Sequence, residues 1–115
     1  LNSEKLTKKN KKLQINLALN YGSKSEIVYA IKSLRKKKIK ISEKTISDHL
    51  YTKYIPDPDI LIRTGNTNRL SNFLLWQISY SEIFFCKKLW PEFTEKDFIT
   101  ILNRYKNIKR NFGKI

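Results

Sequence analysis

Two arginines and a serine lie around a short polar loop, and their chemistry suits a phosphate group. Arg63 directly follows the apolar run 60–62, while Arg69 and Ser71 come after the turn-forming residues 64–68. A guanidinium presents a planar fork of N–H donors that matches phosphate oxygens, and a helix N-terminus at the serine would add unpaired backbone N–H groups. We therefore predict an anion site in this loop.

A purely structural role is the alternative for the same residues. Arg63 could form an ion pair with Asp57 or Asp59. Ser71 could serve only as the N-cap of the following helix, and Arg69 would then be a solvated surface residue. The spacing of these residues leaves both interpretations open.

Glu82 is a second candidate because it lies in an apolar stretch, where a carboxylate needs a partner. Mg²⁺ is typically held by one or two carboxylates and by phosphate oxygens of the substrate, so Glu82 is a candidate metal ligand. A straight helix from Ser71 to Glu82 would span roughly 16 Å, which is too long for both residues to contact one diphosphate. Either the helix breaks, or Glu82 serves a second phosphate or the site of a neighbouring subunit.

Strands and helices are predicted to alternate along the chain and to position these residues. Apolar and polar residues alternate over 13–19, which predicts a strand. Ser23 and Glu26 fit a capping box at the start of an amphipathic helix that runs to about Lys37. The remaining predicted elements are a short helix capped by Ser42 and reaching Leu50, a strand over 60–62, a helix over 70–82, a strand over 83–86 and a final helix whose start is marked by Thr94 with Asp97.

This order of elements favours an α/β fold with a mainly parallel sheet flanked by helices. The continuous apolar run 60–62 predicts a strand that is covered on both faces. Ligands of such sheets bind beyond the carboxyl ends of the strands, which again points to the loop after Ile62. A sheet of so few strands has edges that need partners from further sequence or from another chain.

The positive charge is large and concentrated near the start of the chain. The net charge is +14, and residues 1–40 carry 12 basic and 2 acidic side chains. Residues 1–12 show no periodicity and are predicted to be a lysine-rich lead-in to a single domain over 13–115. A small nucleic-acid-binding module is one explanation of such charge, but the chain has no recognisable nucleic-acid motif and its lysines outnumber its arginines 19 to 5. We expect no nucleic-acid partner.

A series of ordered motifs resembles the C-terminal half of the cis-prenyltransferases, and most strongly that of the bacterial undecaprenyl diphosphate synthases. The matching segments are Leu17-Ala18-Leu19-Asn20-Tyr21-Gly22, Ile62-Arg63-Thr64-Gly65, Arg69 to Gln77, Tyr80-Ser81-Glu82, Leu89-Trp90-Pro91-Glu92-Phe93 and Phe112-Gly113. The resemblance implies that residues 13–115 are the C-terminal part of a single cis-prenyltransferase domain.

The resemblance also implies an activity and its partners. Enzymes of this family are homodimers that use Mg²⁺ to add isopentenyl diphosphate repeatedly to an allylic diphosphate such as farnesyl diphosphate. The product is a long-chain, undecaprenyl-type diphosphate for synthesis of the cell-wall lipid carrier, and it partitions to the membrane. The implied location is cytoplasmic and peripheral at the inner membrane face.

Residue roles follow from the same resemblance. The residues that match the isopentenyl diphosphate site are Arg63, Arg69, Leu70 (through its backbone) and Ser71, and Glu82 matches a Mg²⁺ ligand. Catalytic residues are expected in the family's N-terminal half, so none is expected in this chain, which should be inactive alone. Asn111-Phe112-Gly113 stands where the family usually has Arg-x-Gly. A non-catalytic accessory subunit is the alternative within the family, and the retained phosphate-site residues favour the enzyme.

Overall fold

A two-stranded parallel sheet with helices beside it forms the regular part of the computed structural model, which describes residues 2–109. The elements in chain order are α1 (Asn2–Thr7), α2 (Ser23–Lys36), α3 (Glu43–Ser47), β1 (Ile60–Arg63), β2 (Glu82–Phe85), a 3₁₀ turn (Trp90–Glu92) and α4 (Glu95–Lys106). The predicted α/β class with a parallel sheet is confirmed. Within the predicted lead-in over 1–12, α1 is a short helix whose side chains are exposed.

The two strands pair directly, with Ile60 opposite Glu82 and Arg63 opposite Phe85. The prediction that the run 60–62 is covered on both faces is wrong, because every residue of β1 is only half-buried. In β2, Phe84 is buried whereas Phe85 is 47% exposed. A sheet of two strands has two open edges, so water reaches residues that a wider, covered sheet would enclose.

The apolar core lies between α2 and α3. Its buried members are Ala30, Leu34, Ile46 and Leu50, and Ile27, Ile31 and Trp76 pack against them. The predicted amphipathic helix over 23–37 is confirmed as α2, because one helical face carries the small and aliphatic residues that this core buries. Nowhere between residues 2 and 109 is there a helix long and apolar enough to cross a bilayer.

Two of the three predicted helix caps are confirmed. The Ser42 side chain accepts a hydrogen bond from the backbone N–H of Thr45, although α3 ends at Ser47 rather than at Leu50. Thr94 caps α4 in the same manner, as the spacing to Asp97 predicts. The capping box at Ser23 is wrong: the N-cap of α2 is Gly22, which offers no side-chain cap.

The predicted strand over 13–19 is wrong. These residues have no regular secondary structure, and the side chains of Leu13, Ile15, Leu17 and Leu19 are between 74% and 81% exposed. An alternating pattern specifies which face of a strand would be buried, but a strand also needs a hydrogen-bonded neighbour. No such neighbour lies along this segment within residues 2–109.

The predicted helix over 70–82 is also wrong, and the segment is a series of turns. Ser71, Asn72 and Leu74 have φ angles of 50°, 60° and 45°, which place them in the left-handed region. For residues other than glycine this conformation costs roughly 1–2 kcal/mol each and cannot continue a right-handed helix. No continuous helix therefore joins Leu70 to β2, which is one of the two outcomes expected from the length of a straight helix between Ser71 and Glu82.

Candidate functional site

The loop that follows β1 is held in place by the segment that follows β2. The backbone N–H of Gly65 donates to the Lys88 carbonyl at 2.8 Å, and that of Asn66 donates to the Cys86 carbonyl at 3.2 Å. Gly65 has a φ of 93°, where a residue with a side chain would be strained. The polar loop at the carboxyl end of β1 is therefore a defined turn.

Arg63 projects from the last position of β1 and is oriented by this turn. Its Nε donates a hydrogen bond to Thr67 Oγ1 at 3.1 Å. This contact takes up one of the five N–H donors that a guanidinium has and restrains the plane of the group. The arginine is half-buried at the carboxyl end of β1, so part of the residue stays accessible to solvent.

The other predicted phosphate-site residues lie in the same segment, beyond the turn. Arg69 and Ser71 are exposed, and Leu70 between them is half-buried. Arg63 and Arg69 flank one short loop, and Ser71 follows two residues after Arg69. This arrangement suits a group with several negatively charged oxygens.

Glu82 is not brought to this place. It begins β2 opposite Ile60, whereas Arg63 ends β1 three residues further along, a separation of roughly 10 Å along the strand direction. Side chains alternate between the faces of a sheet, so Glu82 shares the face of Ile60 and Arg63 lies on the opposite face. The break in the predicted helix does not bring Glu82 to Arg63. Both remaining predictions for Glu82 stand, a second phosphate and the site of a neighbouring subunit.

Glu82 fits Mg²⁺ as one ligand of a larger set. Within the part of the chain that the structure describes, no three acidic, histidine or cysteine side chains come together as a metal site. The half-buried glutamate supplies a carboxylate, and Mg²⁺ is commonly held by one or two carboxylates with phosphate oxygens completing its shell. A single carboxylate is not a complete metal site, so Mg²⁺ at Glu82 would need further ligands such as phosphate oxygens.

The segment after Ser71 is fastened to the N-terminus of α2. The backbone N–H of Ser23 donates to the Asn72 carbonyl at 2.8 Å, and that of Lys24 donates to Asn72 Oδ1 at 2.9 Å. Ser23, which is fully buried, accepts a hydrogen bond from the Leu75 N–H at 3.0 Å on its Oγ. These bonds hold the left-handed turn in the conformation described above.

A buried carboxylate extends this fastening. Glu26 is fully buried, and its Oε1 accepts from the Tyr51 backbone N–H at 2.7 Å. Its Oε2 accepts a hydrogen bond from Gln77 Nε2 at 3.1 Å and another from the Tyr21 hydroxyl. Burial, and then the hydrogen bond to Glu26, raise the pKa of Tyr21 to about 12. Hydrogen bonding to the carboxylate offsets the cost of removing it from water.

Sequence reasoning assigned Ser23 and Glu26 to a local cap and missed this network. One signal was available: Glu26, Ala30 and Leu34 are spaced four residues apart, so all three fall on the same face of the helix. A carboxylate on the apolar face of an amphipathic helix predicts a buried polar contact. Its partners, Tyr51 and Gln77, could not be predicted because they lie 25 and 51 residues away.

The last predicted contact is that of the C-terminal triplet. Asn111, Phe112 and Gly113 lie outside the described residues.

Comparisons with known proteins agree on one family. The prenyltransferase family model, that of undecaprenyl diphosphate synthase, matches residues 1–113. The chain is 44% identical over 115 residues to the isoprenyl transferase of Thermotoga maritima, covering 96% of this chain and 49% of that protein. It is 46% identical over 116 residues to the isoprenyl transferase of Oceanobacillus iheyensis, covering 95% of this chain and 46% of that protein.

Solved structures give the same result. A probable undecaprenyl diphosphate synthase from Campylobacter jejuni superposes with a TM-score of 0.87 at 41% identity, covering 96% of this chain and 52% of that one. Lavandulyl diphosphate synthase from Lavandula x intermedia, in complex with dimethylallyl diphosphate, gives a TM-score of 0.88 at 38% identity and covers 98% and 52% of the two chains. The chain thus spans about half the length of the relatives that it matches.

Proposed function

This chain belongs to the cis-prenyltransferase family of the undecaprenyl diphosphate synthases, and we propose that the protein it forms condenses isopentenyl diphosphate with an allylic diphosphate. The observation that carries this proposal is the loop after β1, where Arg63, Arg69 and Ser71 follow one another on a segment fastened to α2. These 115 residues supply the isopentenyl diphosphate site and about half of the enzyme.

The two arginines bind the diphosphate of isopentenyl diphosphate in this proposal. Thr67 fixes the plane of the Arg63 guanidinium through its Nε, so the terminal nitrogens keep a constant direction. Arg69 approaches from the other end of the loop, and the Leu70 N–H and the Ser71 hydroxyl add uncharged donors. Four groups on one short segment hold the incoming alkene at attack distance, which lowers the entropic part of the barrier.

The alkene of isopentenyl diphosphate forms a bond to the allylic carbon as the carbon–oxygen bond to the allylic diphosphate breaks. The condensed unit then loses a proton, which the released diphosphate can accept, and the new double bond forms. Negative charge develops on the oxygens of the leaving diphosphate. Glu82 would hold Mg²⁺, which supplies neutralisation of that charge when it is bound. The position of Glu82, at the other end of the strands from Arg63, supports a role towards the second diphosphate rather than the first.

The finer features of the activity belong to the same proposal. The complex of the lavandulyl relative with dimethylallyl diphosphate supports an allylic diphosphate as one substrate, and farnesyl diphosphate is the candidate here. Repeated condensation would give a long, undecaprenyl-type product for the cell-wall lipid carrier, which partitions to the membrane. The active protein is proposed to be a homodimer at the cytoplasmic face of the inner membrane.

A fusion protein tests this function. The chain is joined behind the N-terminal half of the Thermotoga maritima isoprenyl transferase, and transfer of labelled isopentenyl diphosphate to farnesyl diphosphate is measured with Mg²⁺ and with a chelator. We expect labelled polyprenyl product from the fusion with Mg²⁺ only, and none from the 115-residue chain. Product from the chain alone would contradict the assignment of catalytic residues to the other half.

Arg69→Ala tests the site in the same fusion. Loss of one charged diphosphate contact should raise KM for isopentenyl diphosphate about tenfold or more and leave KM for farnesyl diphosphate nearly unchanged. Arg35→Ala is the matched control, because Arg35 is an exposed arginine in the last turn of α2. An unchanged KM in Arg69→Ala would refute the site, and a fusion that binds diphosphates without turnover would favour an accessory subunit.

A further inference from the structure

We propose that Asn72 is a positioning residue, which holds the Leu70–Ser71 segment in its diphosphate-binding conformation by capping helix α2 from a distance. This inference rests on the proposed function, because it concerns the same diphosphate site. Asn72 itself is half-buried, and its role is to fix its neighbours.

The N-terminus of α2 lacks a cap of its own. The N-cap residue is Gly22, which has no side chain to accept from the first backbone N–H groups of the helix. Asn72 supplies both missing acceptors: its carbonyl accepts from Ser23 at 2.8 Å, and its Oδ1 accepts from Lys24 at 2.9 Å. One residue, 48 positions further along the chain, thus does the work that an N-cap serine or asparagine does locally.

Glycine at position 22 makes room for this contact. A Cβ atom at Gly22 would lie 2.9 Å from Asn72 Nδ2, closer than real Cβ contacts come. A side chain at position 22 would therefore have to displace the end of the Asn72 amide, so a local cap and the distant cap compete for the same space. The absence of a side chain at Gly22 and the amide at Asn72 form one matched pair.

Asn72, which makes these hydrogen bonds, directly follows the predicted diphosphate ligand Ser71. Ser71 and Asn72 have φ angles of 50° and 60°, a conformation that persists only where the surroundings over-determine it. The surroundings here are the first turn of α2, whose later turns are anchored in the core by Ala30 and Leu34. A second bond, from the Leu75 N–H to Ser23 Oγ, holds the far side of the turn.

Asn72→Ala in the fusion tests the inference. The variant removes the acceptor for the Lys24 N–H, so the preceding residues lose one restraint. We expect KM for isopentenyl diphosphate to rise about tenfold, with kcat within about twofold of the parent, because only binding of this substrate needs the turn. The unfolding midpoint should also fall, because a helix cap is lost.

The double variant Gly22→Ser/Asn72→Ala separates positioning from stability. With the amide gone, a serine fits at position 22 and can cap α2 locally, since Gly22 has the extended backbone that an N-cap serine adopts. We expect the unfolding midpoint to recover while KM stays about tenfold high. If KM recovers together with the midpoint, or never changes in Asn72→Ala, the inference is overturned.

Thr94→Ala is the matched control, because it removes the N-cap of α4. The cap hydrogen bonds of Thr94 join it to Asp97 and not to the turn over residues 71–75. This variant should lose stability and keep the parent KM, and a tenfold rise in its KM would also overturn the inference. If the parent fusion transfers no isopentenyl groups, the proposed function fails. Affinity for inorganic diphosphate, measured by calorimetry, must then fall about tenfold in Asn72→Ala and in the double variant; otherwise the inference fails too.

Discussion

The segments 13–19 and 70–77 both lack regular structure, for opposite reasons. In the first, four aliphatic side chains alternate with polar ones, and all four are largely exposed to water. In the second, turns with left-handed residues are fastened by hydrogen bonds to α2, and Gln77 is buried. Segment 13–19 thus lacks regular structure because no strand pairs with it, whereas segment 70–77 lacks it because hydrogen bonds hold it in turns.

The contrast shows what each segment requires from the rest of the fold. A strand gains its stability from neighbouring strands, and residues 2–109 provide none beside 13–19. The turns of 70–77 gain theirs from hydrogen bonds to the backbone N–H groups of Ser23 and Lys24 and to the side chains of Ser23 and Glu26 in α2. Further bonds join Trp76 to the end of α3 and Gln77 to the chain between α3 and β1. The segment that begins with two of the predicted diphosphate ligands, Leu70 and Ser71, is therefore held by contacts within this chain.

Glu26→Ala should produce the largest effect on this contrast. It leaves the Tyr51 N–H and the Tyr21 hydroxyl without their acceptor. Gln77 Nε2 loses one of its two acceptors and keeps Thr52 Oγ1, and the expected loss in unfolding free energy is about 3 kcal/mol. Urea unfolding of the fusion, followed by tryptophan fluorescence, measures it. Glu43→Ala, at an exposed position in the first turn of α3, is the control and should cost less than about 1 kcal/mol. Equal losses would show that the buried network does not hold 70–77.

Alkaline pH should weaken the same network by a smaller amount. Burial and the hydrogen bond to Glu26 raise the folded-state pKa of Tyr21 from its usual 10.0 to about 12, so the neutral phenol is favoured in the fold. Its contribution is complete below pH 10 and is lost as the pH rises from 10 towards 12, by about 1 kcal/mol at pH 11 after solvent screening.

The comparison of the parent with Tyr21→Phe measures this loss. Between pH 9 and pH 11 the urea midpoint should fall further in the parent than in the variant, because the phenylalanine cannot ionise. All other charges are common to both proteins, so an identical fall would contradict the assigned pKa shift.

Ser71→Gly should stabilise the protein slightly and weaken its binding of isopentenyl diphosphate. Glycine relieves the left-handed strain at φ 50°, and after the entropy that glycine adds to the unfolded chain the net gain is about 0.5 kcal/mol. Removal of the hydroxyl should raise KM for isopentenyl diphosphate. Ser79→Gly, at an exposed serine in the same run of turns, should instead reduce stability, and a gain there would undermine the strain argument.

Leu17→Thr should have the smallest effect in the 115-residue chain. The side chain is 80% exposed, so the free energy of unfolding should change by less than about 0.5 kcal/mol. The same substitution in the fusion should cost more, because the added half would provide partners for the predicted strand. Equal values in both proteins would show that 13–19 stays unpaired in the completed fold.

Local sequence was sufficient wherever the deciding contacts are near in the chain. The capping interactions of Ser42 and Thr94 reach only three residues ahead, and the apolar face of α2 repeats within the helix itself. The residues that resemble a diphosphate site, from Arg63 to Ser71, are likewise close in sequence, and they remain on one segment in the structure. Their types and order were enough to predict an anion site and the family.

Tertiary structure decided the features that depend on distant partners. Asn72 replaces a local cap only because it meets Gly22 across some fifty residues of chain, and Glu82 is separated from Arg63 only because the two strands pair in this register. The helical periodicity over 70–82 does not produce a helix, because hydrogen bonds to α2, some fifty residues earlier in the chain, hold the start of this segment in turns. Periodicity expresses which residues prefer burial, whereas the acceptors and neighbours that fix a backbone are supplied by the fold.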